Sequence, residues 1–246
     1  MKIRKKIQHF SSVEISLPTS WEELTQEQMK YIFSLIASDF HTEEVKTYAV
    51  IRFSGLKLLK RIDDNKQLMS IDGQRIVIDN KQLAVAVSYL DFLDSPSKEP
   101  VRLDTIGEAT AVDAQLHGVP FHIYIAIENL YQGFLQSKNT EALNAIAHLL
   151  YDGIKDTDAV TRVCVLYWMS SVKLLFAKLW PDFFRPSSGE SQDMDMRALM
   201  DTEIRALTGG DITKEKEVMS CDTWRALTEL NAKAREAQEF NQKMKQ

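Results

Sequence analysis

The sequence predicts a mainly α-helical protein: a multi-helix bundle with a small β-hairpin or short sheet near the N-terminal half and a C-terminal helical arm. Three observations carry that expectation. After Pro120, apolar residues recur at helical spacing through three successive stretches, Phe121–Gln136, Thr140–Tyr151 and Asp158–Trp180, joined by connections short enough for antiparallel packing. The clearest β signal is Leu68–Ile78, where Asp72-Gly73 suits the positive φ angles of a type I′ turn. Finally, residues 186–194 are polar and aperiodic and carry Pro186 and Gly189, which marks them as a linker between a body, 1–185, and an arm, 195–246.

Taken in order, Val13, Ile15 and Leu17 alternate on one side of an extended segment that Pro18 ends. Ser20 with Glu23 and Thr25 with Gln28 have capping-box spacing, so a helix is expected from there to about Ser38, with Met29, Phe33 and Ile36 inward. Thr42 is the expected cap of a second helix that stops near Gly55. After the hairpin, Asn80 is the expected cap of a helix through Leu83, Val87, Leu90 and Leu93, and Pro96 and Pro100 break the chain. Residues 101–118 read as either a short strand or a polar loop. The Asp158–Trp180 helix is apolar nearly all round and belongs at the centre of the core. In the arm, Met196–Leu207 is a short helix stopped by Gly209-Gly210, Asp211 is an N-cap, and Ser220–Phe240 is a charged second helix.

Composition narrows the class. With 246 residues, 44% of them hydrophobic, the chain can bury a core without metal or disulfides, and Cys164 and Cys221 fit free thiols in a reducing cytoplasm. The basic start, MKIRKKIQHF, lacks the apolar run of a signal peptide, and Val163–Met169 is shorter than the ~18 residues of a spanning segment. A net charge of −5 gives no general nucleic-acid footprint; the one basic concentration, Lys2, Arg4, Lys5 and Lys6, reads as a solvated terminus or protected edge strand. The expectation is a soluble cytoplasmic protein that binds neither nucleic acid nor membrane.

No catalytic, cofactor or metal site is expected. His117 and His122 are five apart with Gly118 and Pro120 between them, whereas a zinc helix needs two His one turn apart on one face. Thr161, Cys164, Ser170 and Ser171 are nucleophiles by atom type only, since no adjacent base or oxyanion motif accompanies them. Gly209-Gly210-Asp211 lacks the Lys-Ser/Thr of a phosphate loop. Asp91, Asp94, Asp152, Asp156 and Asp158 sit at helix ends and read as caps or solvated groups; Tyr124, Tyr131, Phe134 and Tyr151 read as core or interface aromatics.

The arm is the candidate interaction element. Trp224 and Leu227 begin a narrow apolar stripe continued by Leu230 or Ala234 and by Ala237, of which Trp224, Leu227, Leu230 and Ala234 are the expected partner-binding residues, while Glu229 with Lys233 and Glu239 with Lys243 are favourable pairs four apart. Such a helix must dock on its own body, on a sister subunit or on another protein, and all three stay open at this level. Trp224 is the expected anchor, because Trp is enriched among binding hot spots.

The segments LPTSWEELTQEQMKYIFSLI, EVKTYAVIRFSGLK, VPFHIYIAIENLYQGFL and IRALTGGDITKEKEVMSCDTWRALTELNAKARE resemble a family of mostly uncharacterised proteins from tailed-bacteriophage and prophage tail modules, and the resemblance extends from about Leu17 to Phe240. The resemblance rests on helix caps and core positions; no catalytic signature accompanies it. It implies a non-enzymatic assembly protein, in the manner of a tail-assembly chaperone that holds the helical, aggregation-prone tape-measure protein, with a homo-oligomer allowed. A structural virion subunit, from the tail or the head-to-tail connector, is the alternative it implies, and an enzyme of unknown activity comes last.

Overall fold

The computed structural model describes residues 6–10, 13–185 and 196–244. The expected 186–194 linker and the basic residues Lys2, Arg4 and Lys5 lie outside the described residues. The protein is mainly α-helical with small antiparallel sheets. Contacts divide it into two compact units, 1–97 and 98–246. The expected body, 1–185, is thus divided at Ser97, and the expected arm, 195–246, shares a unit with the three central helices.

In the first unit, β1 (Lys6–Phe10) and β2 (Val13–Leu17) pair antiparallel, with Lys6 opposite Leu17. A single 3-10 turn, Trp21–Glu23, follows; there Glu23 turns back to accept from the Thr19 amide and hydroxyl, so the box expected at Ser20 does not form. The Thr25–Gln28 box does form, with Thr25 Oγ1 accepting from the Gln28 amide and Gln28 Oε1 from the Thr25 amide, and it starts α1 (Gln26–Ala37). For α2 (Thr42–Ser54) the cap position is His41 and not Thr42, with Glu44 accepting from the His41 amide; Gly55 ends it at φ 74°. Only glycine adopts that angle without cost.

The hairpin forms as read: β4 (Lys66–Ile71) and β5 (Gln74–Asp79) pair across Asp72 and Gly73, whose φ angles are 47° and 80°. It is part of a three-stranded meander, because β3 (Lys57–Arg61) adds to β4. All five β3 residues are exposed, so KLLKR never shows the alternation that reveals a half-buried strand. Met69, Ile71, Ile76 and Ile78 bury the inner face. Asp79, not Asn80, caps α3 (Asn80–Ser88), since the Asp79 carboxylate reaches the Gln82 amide and Gln82 returns to the Asp79 amide. This helix is shorter than expected; Leu90 and Leu93 are buried beyond its end, the latter in a 3-10 turn, Asp91–Asp94.

That turn meets a buried ammonium. Lys46 of α2 is 2% exposed, and its Nζ lies 3.0 Å from Glu43 Oε1, 2.9 Å from Asp91 Oδ1 and 2.7 Å from Asp94 Oδ2. Burial pushes the ammonium pKa down, yet hydrogen bonds to Asp94, Asp91 and Glu43 outweigh it and hold the group above the usual lysine range. The stabilisation is therefore complete below the unfolded lysine value of about 10.4 and is lost as pH rises through the raised folded value. Replacing Lys46 by Met is expected to destabilise this unit by about 2 kcal/mol at pH 7, less than the ~3–5 of a fully buried pair because the carboxylates are half or more exposed. Urea denaturation measures it, and a cost near zero would mean that solvent alone satisfies the three carboxylates.

In the second unit, residues 101–118 hold a tight hairpin, β6 (Thr105–Ile106) and β7 (Ala109–Ala111). The third strand, β8 (Tyr151–Asp152), takes Tyr151 out of the helix expected there. Helices α4 (Phe121–Ser137), α5 (Glu141–Leu150) and α6 (Ala159–Leu179) match the three periodic stretches. Asp158 caps α6 through the Thr161 amide at 2.7 Å. The core of this unit centres on Trp168, Met169, Val172 and Phe176 of α6, all fully buried, against Phe121 and Ile127 of α4 and Ile146 and Leu150 of α5. Leu166 is only partly buried, and Leu174 and Leu179 are exposed, so α6 is not apolar-buried all round. Among the described residues α6 is the one helix long and apolar enough to cross a membrane; half of that window is buried inside the protein.

The chain ends with α7 (Met196–Thr208), α8 (Glu215–Ser220) and α9 (Thr223–Met244). Gly209 and Gly210, at φ 64° and 85°, stop α7 as expected, and Asp211 caps the 3-10 turn that follows. The second arm helix, expected from Ser220, starts three residues later because α8 ends there and Asp222 accepts from the Trp224 and Arg225 amides.

Candidate protein interface

The start of α9 is sewn to the segment before α4. Asp222 Oδ2 accepts from the Gly118 amide at 2.7 Å, and the Val119 carbonyl accepts from both the Thr223 amide and hydroxyl. The Phe121 amide donates to the Cys221 carbonyl at 2.8 Å. Trp224 Nε1 donates to the Gln115 carbonyl at 2.7 Å, and its ring stacks on His117 with centroids 4.1 Å apart and meets Phe176 and Trp180 edge-on. Further along, Asn231 Oδ1 accepts from the Asp182 and Phe183 amides.

Of the four residues expected to bind a partner, Leu227 and Leu230 lie in the core of the chain's own second unit. Trp224 packs against that core half-buried, and Ala234 is half-buried. The physical reason is that the stripe shares one apolar core with α4 and α6, with the Trp224 ring against Phe176 and Trp180, so this half of α9 docks in cis. A side chain 0–4% exposed offers a partner almost no surface, which removes Leu227 and Leu230 from the interface in this conformation.

Beyond Ala234 the helix runs on for nearly three turns with its apolar residues uncovered. Ala237 is exposed, Phe240 is 64% exposed and Met244 73%. Spaced three and four apart, these three share one face. Glu229 and Lys233 pair at 3.2 Å on the flank. The other exposed large apolar side chains include Leu58 and Leu59, but these sit on edge strand β3 between Lys57, Lys60 and Arg61 and beside a register shift, features that discourage strand pairing. The distal face of α9 has no such protection.

The other residues singled out from sequence serve structure. Thr161, Ser170 and Ser171 hydroxyls bond Asp158, the Leu166 carbonyl and the Tyr167 carbonyl. Cys164 is buried with its thiol pushed up by burial, 3.4 Å from the Tyr151 hydroxyl, which donates to the Leu103 carbonyl. His117 lies 2.8 Å from Asp113, and His122 lies 2.9 Å from the Met219 carbonyl, so the two rings are held apart by different partners. Among the described residues, no three His, Cys, Asp or Glu side chains gather as metal ligands.

One cluster escaped the sequence reading. Glu128 of α4 meets Lys173 of α6 at 2.6 Å through Oε1, which also accepts from Gln132, while Glu128 Oε2 is buried without a hydrogen-bond partner. On α7 the Glu203 carboxyl is pushed up to about 7, by burial first and then by the charge of Glu128, with Lys173 opposing. The available signal was that Glu203 lies four residues from both Leu199 and Leu207, where a charge interrupts the apolar period of an amphipathic helix.

Compared with known proteins, the chain matches no family model, no curated protein and no solved structure.

Proposed function

We propose that this protein is a non-enzymatic assembly factor of a bacteriophage or prophage tail, acting in the host cytoplasm as a chaperone for the tape-measure protein. The observation that carries the reading is the uncovered face of α9, Ala237, Phe240 and Met244, on a helix whose other half is fixed to the core. A rigid helix with an open apolar edge is the geometry that seats against another amphipathic helix, and a tape-measure protein is helical and apolar. The sequence resemblance to tail-module proteins supplies the partner class.

Co-expression of the full chain with a tape-measure segment, followed by pull-down, tests the reading. Capture of the segment is expected, and the double variant Phe240→Glu/Met244→Glu is expected to weaken it at least tenfold, about 1.4 kcal/mol, without changing the urea midpoint. Undiminished capture by the variant moves the contact off α9. Recovery of the protein as a stoichiometric ring in purified particles assigns it instead to the structural virion subunits.

A further inference from the structure

We propose that the outer face of the β3–β5 meander is a docking surface for an acidic amphipathic helix of another protein. The inference is independent of the chaperone reading, since it concerns the other unit and a different chemistry. The pairing register defines that face. Lys57 of β3 stands opposite Ser70 of β4, which stands opposite Arg75 of β5. The next row on the same side is Lys60, Leu68 and Val77, and after it comes Lys66 opposite Asp79. Residues directly opposite each other share a face, so four cations surround one apolar pair, Leu68 and Val77.

Two features set this face apart from an ordinary solvated one. Lys57 and Lys60 are three apart, and in a regular strand they point to opposite sides. The register shift between Leu58 and Lys60 adds a residue and turns both lysines outward. Lysines on β3 also discourage pairing along its open edge, but Lys66 lies on the central strand, where it protects no edge. The second feature is that the charge is unspent. Lys57, Lys60, Lys66 and Arg75 are exposed, and among the described residues none of the four forms an ion pair. Arg61, opposite Gln67 on the other side of the sheet, does reach a carboxylate, Asp64 at 3.6 Å. Asp79, the only acid in the three strands, already accepts from the Gln82 amide as the cap of α3.

The composition of the face selects the partner. No aromatic residue occurs in the three strands, so nucleic-acid bases find no stacking platform. Val77, 42% exposed, and the half-buried Leu68 put an apolar spot at the centre, where a phosphate backbone gains nothing. Neighbouring strands lie about 4.8 Å apart, so the backbones at Lys57 and Arg75 are roughly 10 Å apart, the width of a helix. A helix with a short apolar stripe between rows of Glu or Asp meets Leu68 and Val77 with the stripe and the cations with its carboxylates.

Fluorescence anisotropy with the full chain and a labelled peptide of Leu and Glu, about five helical turns long, tests this. Binding that weakens as salt rises from about 0.05 to about 0.3 M is expected. Lys57→Glu/Lys60→Glu should weaken it about tenfold, and Val77→Thr, which keeps the β-branched shape, about threefold. Lys30→Glu/Lys216→Glu makes the same charge change at exposed positions of α1 and α8 and should leave binding unchanged. If the β3 variant fails to fold, Lys66→Gln/Arg75→Gln serves in its place, with weakening again expected. No binding of the peptide, equal weakening by the α1/α8 control, or equal binding of a peptide with Lys for Glu overturns the proposal. So does tighter binding of a single-stranded oligonucleotide or of phosphatidylserine vesicles that the same variants abolish, because the face then reads phosphate. Self-association of the chain that these variants abolish overturns it too, since the occupant is then a second copy.

Discussion

Removing residues 196–246 is expected to abolish cooperative folding of the 98–246 unit. Ala226, Leu227 and Leu230 are 2%, 0% and 4% exposed within its core, and their loss opens that core. Two buried leucines alone carry roughly 2–5 kcal/mol each, which together rivals the ~5–15 kcal/mol stability of a whole domain. The excision also strips partners from the Val119 carbonyl and the Gly118 and Phe121 amides. Circular dichroism of the truncated chain should show no cooperative transition from this unit, with precipitation as apolar surface is uncovered. A sharp transition at the original midpoint would mean that α9 is an appendage after all. In the full chain, Trp224→Ala should cost about 2 kcal/mol, below the range for fully buried Trp because the ring is half-buried.

Trp168→Ala should be the most damaging single substitution in the same unit, at about 4 kcal/mol or more. The ring is fully buried, meets Tyr151 edge-on at 5.7 Å between centroids, and carries the Arg102 guanidinium 5.5 Å from its centroid. Its Nε1 donates to the Ala114 carbonyl at 2.7 Å, so truncation adds an unsatisfied acceptor to the cavity. Chemical denaturation provides the measurement, with Leu174→Ala as control: Leu174 is on the same helix but 50% exposed, and should cost under about 0.5 kcal/mol. If the two costs are equal, α6 is not oriented with Trp168 inward.

Local signals were legible wherever a single segment sets its own outcome. The Asp72-Gly73 turn requires positive φ at both positions, and Thr25 with Gln28 closes a box within four residues. Caps shifted by one residue, to His41 and Asp79, because Glu44 and Gln82 accept from those two amides, so each helix opens one residue earlier than read. Strand β3 was hidden because its five exposed residues have no buried partner to impose alternation. The Glu128–Lys173 pair joins residues 45 positions apart, and no local spacing encodes such a meeting.

By itself the sequence determined a mainly helical protein, the three central helices nearly to their ends, the hairpin and the stop at Gly209-Gly210. Period and turn chemistry act within a few residues, so they survive without knowledge of the rest of the chain. Only the tertiary structure decided that the first half of α9 belongs to the core while Ala237, Phe240 and Met244 stay uncovered. Apolar residues recur in both halves, and which of them are covered depends on what packs alongside, a fact of packing that no position on α9 records.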